Sequence, residues 1–85
     1  MTAAQPYRCL CCACWTLPAE PPGTFTLCPV CGWEDDAFQG THPDFAGGAN
    51  AVSLNTARKN FRALGASDVR RLVRTRRPTA EERGG

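Results

Sequence analysis

The chain has 85 residues, and what it lacks narrows it more than what it contains. It has one histidine, His42, one methionine at the first position, and one lysine, Lys59. A catalytic zinc usually draws on histidine or carboxylate and keeps a position for water, so a single histidine argues against that class. No apolar stretch approaches the roughly 20 residues of a membrane-spanning helix. The start, Met1-Thr2-Ala3-Ala4-Gln5-Pro6, has neither a basic opening nor an apolar run, so it does not read as a secretory signal. Only seven residues are aromatic, while seven are proline and eight are glycine. A domain of roughly 60 ordered residues buries only about 60% of the surface its unfolded chain exposes, so so thin a core needs a staple.

Six cysteines can supply it. With no signal sequence, a cytoplasmic, reducing setting is expected, where thiols bind metal in preference to forming disulfides. Cys28-Pro29-Val30-Cys31 is an unambiguous Cys-x-x-Cys pair followed by Gly32. The first cluster offers two such pairs, Cys9 with Cys12 and Cys11 with Cys14. Cys9/Cys12 leaves 15 residues before Cys28, within the usual spacing of a two-knuckle zinc site, and Cys11/Cys14 leaves 13. Spacing therefore favours Zn2+ on Cys9, Cys12, Cys28 and Cys31. Local chemistry keeps Cys11/Cys14 open as an alternative, because a residue after the second ligand often takes positive φ. Gly32 does so freely, whereas Ala13 would be strained by about 1 kcal/mol. Under the favoured assignment Cys11 and Cys14 are spare thiols, either buried small hydrophobes or redox-responsive groups.

The pattern predicts a small α+β metal-bound domain over 7–78. It comprises a zinc-ribbon-like β-hairpin with two cysteine knuckles, an ordered loop and a C-terminal helix, with flexible ends at 1–6 and 79–85. Residues 13–17 read as a strand, and Thr24-Phe25-Thr26-Leu27 alternates with period 2 as its return. The proline-rich stretch 18–23 connects them. Glu34-Asp35-Asp36 and the glycine-rich 40–50 read as irregular, folded over the metal end, with the carboxylates solvated or paired to arginines. His42-Pro43-Asp44 reads as part of that loop. Ser53 is a helix N-cap, Leu54, Ala57, Phe61 and Leu64 form an apolar stripe, and Gly65 ends the helix. Val69, Leu72 and Val73 fit a further short turn of helix or an extended segment, and the chain from Arg76 onward reads as loose.

Charge is divided along the chain. Residues 1–57 carry Arg8 against five carboxylates, and residues 58–77 carry eight basic side chains against Asp68 alone. That asymmetry suggests a basic face for a partner. Three functions fit: a zinc-stabilised protein that binds another protein; a nucleic-acid binder using Arg58, Lys59, Arg62, Arg70, Arg71 and Arg74; or a thiol-based redox switch. The closed four-cysteine pattern, without a catalytic constellation, favours the first, a non-enzymatic one.

Several motifs in order resemble the bacterial CPCC family of small cysteine-rich proteins. They are Tyr7, Cys9-Leu10-Cys11-Cys12-Ala13, Thr16-Leu17, Cys28-Pro29-Val30-Cys31-Gly32-Trp33-Glu34-Asp35-Asp36, Gly47-Gly48-Ala49-Asn50, Ser53-Leu54, Ala57-Arg58-Lys59-Asn60-Phe61 and Gly65. The chain departs from the family pattern at Leu10, Ala13 and Cys14, where proline, glycine and an aromatic residue are expected. The resemblance implies a zinc-bound fold and an ordered loop after Trp33, and it brings no assigned activity.

Overall fold

A computed structural model describes residues 4–84; residues 1–3 and 85, part of the two ends expected to be flexible, lie outside the described residues. The elements are β1 (Tyr7–Arg8), β2 (Trp15–Leu17), α1 (Ala37–Thr41), α2 (Leu54–Leu64) and a 3-10 helix, Val69–Arg74. They form a small α+β domain around a four-cysteine cluster.

The strand pairing differs from the expected one. β2 pairs antiparallel with β1, in the register Tyr7↔Leu17 and Arg8↔Trp15, so the hairpin closes over the first cysteine cluster. Residues 24–27 do not return along β2. They turn back on residues 33–35, through the bridge Leu27↔Glu34 and the bonds from Phe25 N to Asp35 O (3.0 Å) and Asp35 N to Thr26 O (3.0 Å). The reason is local: Phe25 sits at φ 57°, outside the extended region, which breaks the alternation and leaves its ring exposed.

α2 follows its sequence signals. Ser53 Oγ accepts from Thr56 N, and Gly65, at φ 79°, donates its N–H to Phe61 O. Only the first half of its apolar stripe, Leu54 and Ala57, is fully buried; Leu64 is 48% exposed. Val69–Arg74 takes the helical option as a 3-10 turn, N-capped by Asp68.

The stretch read as irregular contains α1. Asp36 is its N-cap, with Oδ1 accepting from Gln39 N (2.9 Å) while Oδ2 accepts from Ala49 N (3.0 Å). These two bonds hold its carboxyl below the usual range. Asp35 is buried and accepts from both the N–H and the hydroxyl of Thr24. Neither aspartate therefore pairs with an arginine, as had been one expectation. Gln39 is fully buried and donates to the carbonyls of Phe45, Asn50 and Val52. Asn50 in turn bonds Gln39 Oε1 and both backbone groups of Glu34. This polar hub orders the loop between α1 and α2.

The closing segment, which the sequence leaves as a flexible end, lies against β2. Glu82 is 1% exposed, and its carbonyl accepts from Trp15 N at 2.7 Å. Its carboxylate takes a bidentate pair from Arg76, both bonds at 2.7 Å, and a third bond from Thr79 N. Glu82 N donates back to Thr79 Oγ1, which completes a capping-box pattern. The Arg76 contacts first, and the Thr79 bond after them, hold the Glu82 carboxyl down at about 2.

Glu82→Gln should lower the stability of the metal-loaded protein by about 1–3 kcal/mol at neutral pH in chemical denaturation. Because the folded-state pKa is depressed, this advantage is present above the ordinary carboxylate pKa near 4.5 and is lost as pH falls toward 2. Across about pH 6–8, where the thiolate-bound metal stays in place, the gap should therefore be constant. Equal stabilities of wild type and variant at neutral pH would contradict the assignment.

Candidate metal centre

The same turn is built twice. In the first cluster Cys9 N donates to Cys14 O (2.8 Å) and Ala13 N to Cys9 O (2.9 Å). In the second, Cys28 N donates to Trp33 O and Gly32 N to Cys28 O, both at 2.9 Å. The residue after the second cysteine is left-handed in each, Ala13 at φ 64° and Gly32 at φ 81°. Each turn thus points its first and fourth residues, two thiols, toward the other knuckle.

The two knuckles interleave. Cys9 Sγ lies 3.7 Å from Cys31 Sγ, Cys12 Sγ lies 3.7 Å from Cys28 Sγ, and all four sulfurs fall within 4.8 Å of one another. A tetrahedral ion with metal–sulfur bonds of about 2.3 Å has sulfur–sulfur edges of about 3.8 Å. The four-cysteine group fits such an ion. Its acid–base chemistry points the same way. Cys28 is pulled down because Cys12, then Cys31 and Cys9, donate to its sulfur. Cys31 is pushed up by its neighbours, Cys11 first, and by burial. Cys12 is pushed up chiefly through Cys28. Crowded thiols cannot all ionise alone, and a cation at their centre removes that conflict.

Outer contacts orient the sulfurs. Trp33 N donates to Cys31 Sγ at 3.4 Å, the contact that a glycine at position 32 permits. Thr16 Oγ1 lies 3.2 Å from Cys28 Sγ. Thr16, in the middle of β2, is not among the residues that ligand spacing points to.

Among the described residues, the group of mutually close metal-ligating side chains is Cys9, Cys12, Cys28 and Cys31. Cys11 and Cys14 are buried in the surrounding core, and burial pushes the Cys14 thiol up. The residues proposed for nucleic acid are divided in role. Arg58 Nε donates to Leu10 O (2.9 Å) inside the first knuckle, and Arg71 Nη1 to Gly32 O (2.7 Å) inside the second. Arg71 packs so closely that a Cβ on Gly32 would meet its own Cβ at 2.9 Å. Arg70 pairs with Asp68 at 2.8 Å. Lys59, Arg62 and Arg74 are exposed. His42 stacks on Phe38, with ring centroids 4.0 Å apart, and is not one of the clustered ligands.

The family model for Cysteine-rich CPCC matches residues 7–82. The chain belongs to the Cysteine-rich CPCC family. A comparison with curated proteins finds no match. Within this CPCC domain, the departure at Ala13 has a structural meaning, since alanine occupies the left-handed position that its counterpart Gly32 fills without strain.

Ala13 is exposed, so replacing it removes no packing. The left-handed conformation costs alanine about 1–2 kcal/mol, and the greater freedom of glycine in the unfolded chain offsets about 0.5–1 of that. Ala13→Gly should stabilise the metal-loaded protein by about 0.5–1 kcal/mol, which is a rise of a few degrees in Tm at fixed metal concentration. An unchanged or lowered Tm would show that the first knuckle does not hold this turn.

Proposed function

We propose that this CPCC protein holds one structural Zn2+ on Cys9, Cys12, Cys28 and Cys31 and that the folded domain serves as a protein-interaction module rather than an enzyme. The observation that carries the reading is the make-up of the core: five of the ten residues in its buried cluster are cysteines, and the others are Leu17, Val30, Trp33, Leu54 and Ala57. So small an apolar set does not hold such a chain together unaided. A tetrahedral all-sulfur site suits zinc, and four protein ligands leave no open position for substrate. Thiolate ligation suits a reducing compartment, which supports a cytoplasmic location. Among the described residues no helix is long and apolar enough to cross a membrane.

The interaction half rests on apolar side chains left at the surface, among them Phe38, Phe45, Leu64, Val69, Leu72 and Val73. A nucleic-acid role draws less support, because Arg58 and Arg71 are engaged with the knuckles and Arg70 with Asp68. A redox role draws less support as well, since Cys11 and Cys14 are 7% and 6% exposed.

Stripping the metal with a chelator should abolish the cooperative melt and most of the helical circular dichroism, because zinc binding and folding are coupled in domains of this kind. Unchanged spectra and Tm would refute the structural role. Metal analysis of serine variants should find zinc lost from Cys9→Ser, Cys12→Ser, Cys28→Ser and Cys31→Ser, and retained at one ion per chain in Cys11→Ser and Cys14→Ser. Retention in Cys12→Ser with loss in Cys14→Ser would reassign the site.

A further inference from the structure

The closing stretch, residues 75–84, runs from the second knuckle to the first. At its start, residues 75–78 face Val30, Phe61 and Leu64 across a cavity of about 430 Å³, and Val30 stands between the ligands Cys28 and Cys31. At its far end Glu82 O accepts from Trp15 N at 2.7 Å, in the residue next to Cys14. Gly84 lies so close to Trp15 that a Cβ on it would meet the indole nitrogen at 3.3 Å. Arg76 and Glu82 are also within electrostatic range of the thiols: Cys28 and Cys14 act on Arg76, and Glu82 acts on Cys14.

This strap is fastened differently from the rest of the domain. Among the described residues, none of 75–84 belongs to the buried apolar cluster that packs on the cysteines. The member it buries is a carboxylate, Glu82, and what holds that carboxylate is the bidentate pair from Arg76 with the Thr79 N–H. The Arg76–Glu82 pair ties the start of the strap to its end, so losing it frees the segment as a whole. A segment with few buried apolar contacts opens for a fraction of the free energy of global unfolding. Here opening breaks polar contacts and leaves the packing of Leu17, Val30, Trp33 and Leu54 in place. The other spare thiol, Cys11, lies beside Leu10, whose carbonyl is held by Arg58 of α2 and not by the strap.

We propose that residues 75–84 form a gate over the metal centre, latched by the Arg76–Glu82 pair, whose opening with the knuckles still folded sets how fast zinc leaves and how fast Cys14 meets reagents from solvent. The proposal rests on the four-cysteine zinc reading. A departing ion exchanges each thiolate for a donor atom of the acceptor, so the acceptor must reach sulfurs that are buried while the strap is closed.

The test uses the zinc-loaded full chain and two rates: zinc transfer to an excess of a metallochromic chelator, and alkylation by iodoacetamide resolved thiol by thiol in fragment mass spectra. Glu82→Gln and Arg76→Gln should each start with one zinc per chain and release it about tenfold faster than wild type, equivalent to about 1.4 kcal/mol of lost latching. Before zinc is lost, Cys14 should be labelled about tenfold faster while Cys11 keeps its wild-type rate. The double variant should be no faster than the single ones, because both substitutions remove the same pair. Unchanged zinc-release and Cys14 rates in both variants would overturn the gate. Equal acceleration of Cys11 and Cys14 would overturn it as well, since that is the mark of global unfolding. A wild-type protein that takes up no zinc would defeat the metal reading and the gate with it, whereas zinc held with unchanged rates defeats the gate alone.

Discussion

Everything in this domain depends on bringing four thiols, two from each knuckle, to within 4.8 Å of one another, a set that a tetrahedral cation fits. The two knuckles achieve it with the same pair of backbone bonds and the same left-handed residue, so each 3.7 Å sulfur contact joins one knuckle to the other. The clustered thiols of each turn face the opposite turn. The metal proposed for this position would act as the link between the halves, with Leu17, Val30, Trp33, Leu54 and Ala57 packed around it.

The basic half of the chain completes that link from outside. Arg58 reaches a carbonyl of the first knuckle, and Arg71 reaches a carbonyl of the second. The uneven charge along the sequence is therefore not resolved by pairing arginines with the acidic stretch. Asp35 and Asp36 are engaged by Thr24, Gln39 and Ala49, close to home, while guanidinium groups cap carbonyls left by the turns. Such hydrogen bonds to a charged donor are worth more than exposed ion pairs.

What the sequence made legible was what local chemistry decides. Ligand spacing singles out Cys9, Cys12, Cys28 and Cys31, and these four sulfurs meet; Ser53 and Gly65 mark the ends of α2, and the helix stops there. The expected mismatch at Ala13 is present as a positive φ. What stayed hidden depends on distant partners or on one unfavourable dihedral. Phe25 belongs to an alternating run, yet its φ of 57° turns the chain toward Asp35. Gln39 and Asn50 look like ordinary polar loop residues, and only their mutual burial shows them to be the hub of the loop. Thr79 and Glu82 carry a capping-box spacing that a composition rich in charge and glycine obscured.

The most direct test of the central claim is X-ray absorption at the metal edge of the purified, zinc-loaded protein. A single shell of four sulfurs at about 2.3 Å, with no nitrogen or oxygen, is expected. A mixed shell containing nitrogen, which His42 would have to supply, or a shell of fewer than four sulfurs completed by oxygen, would contradict it.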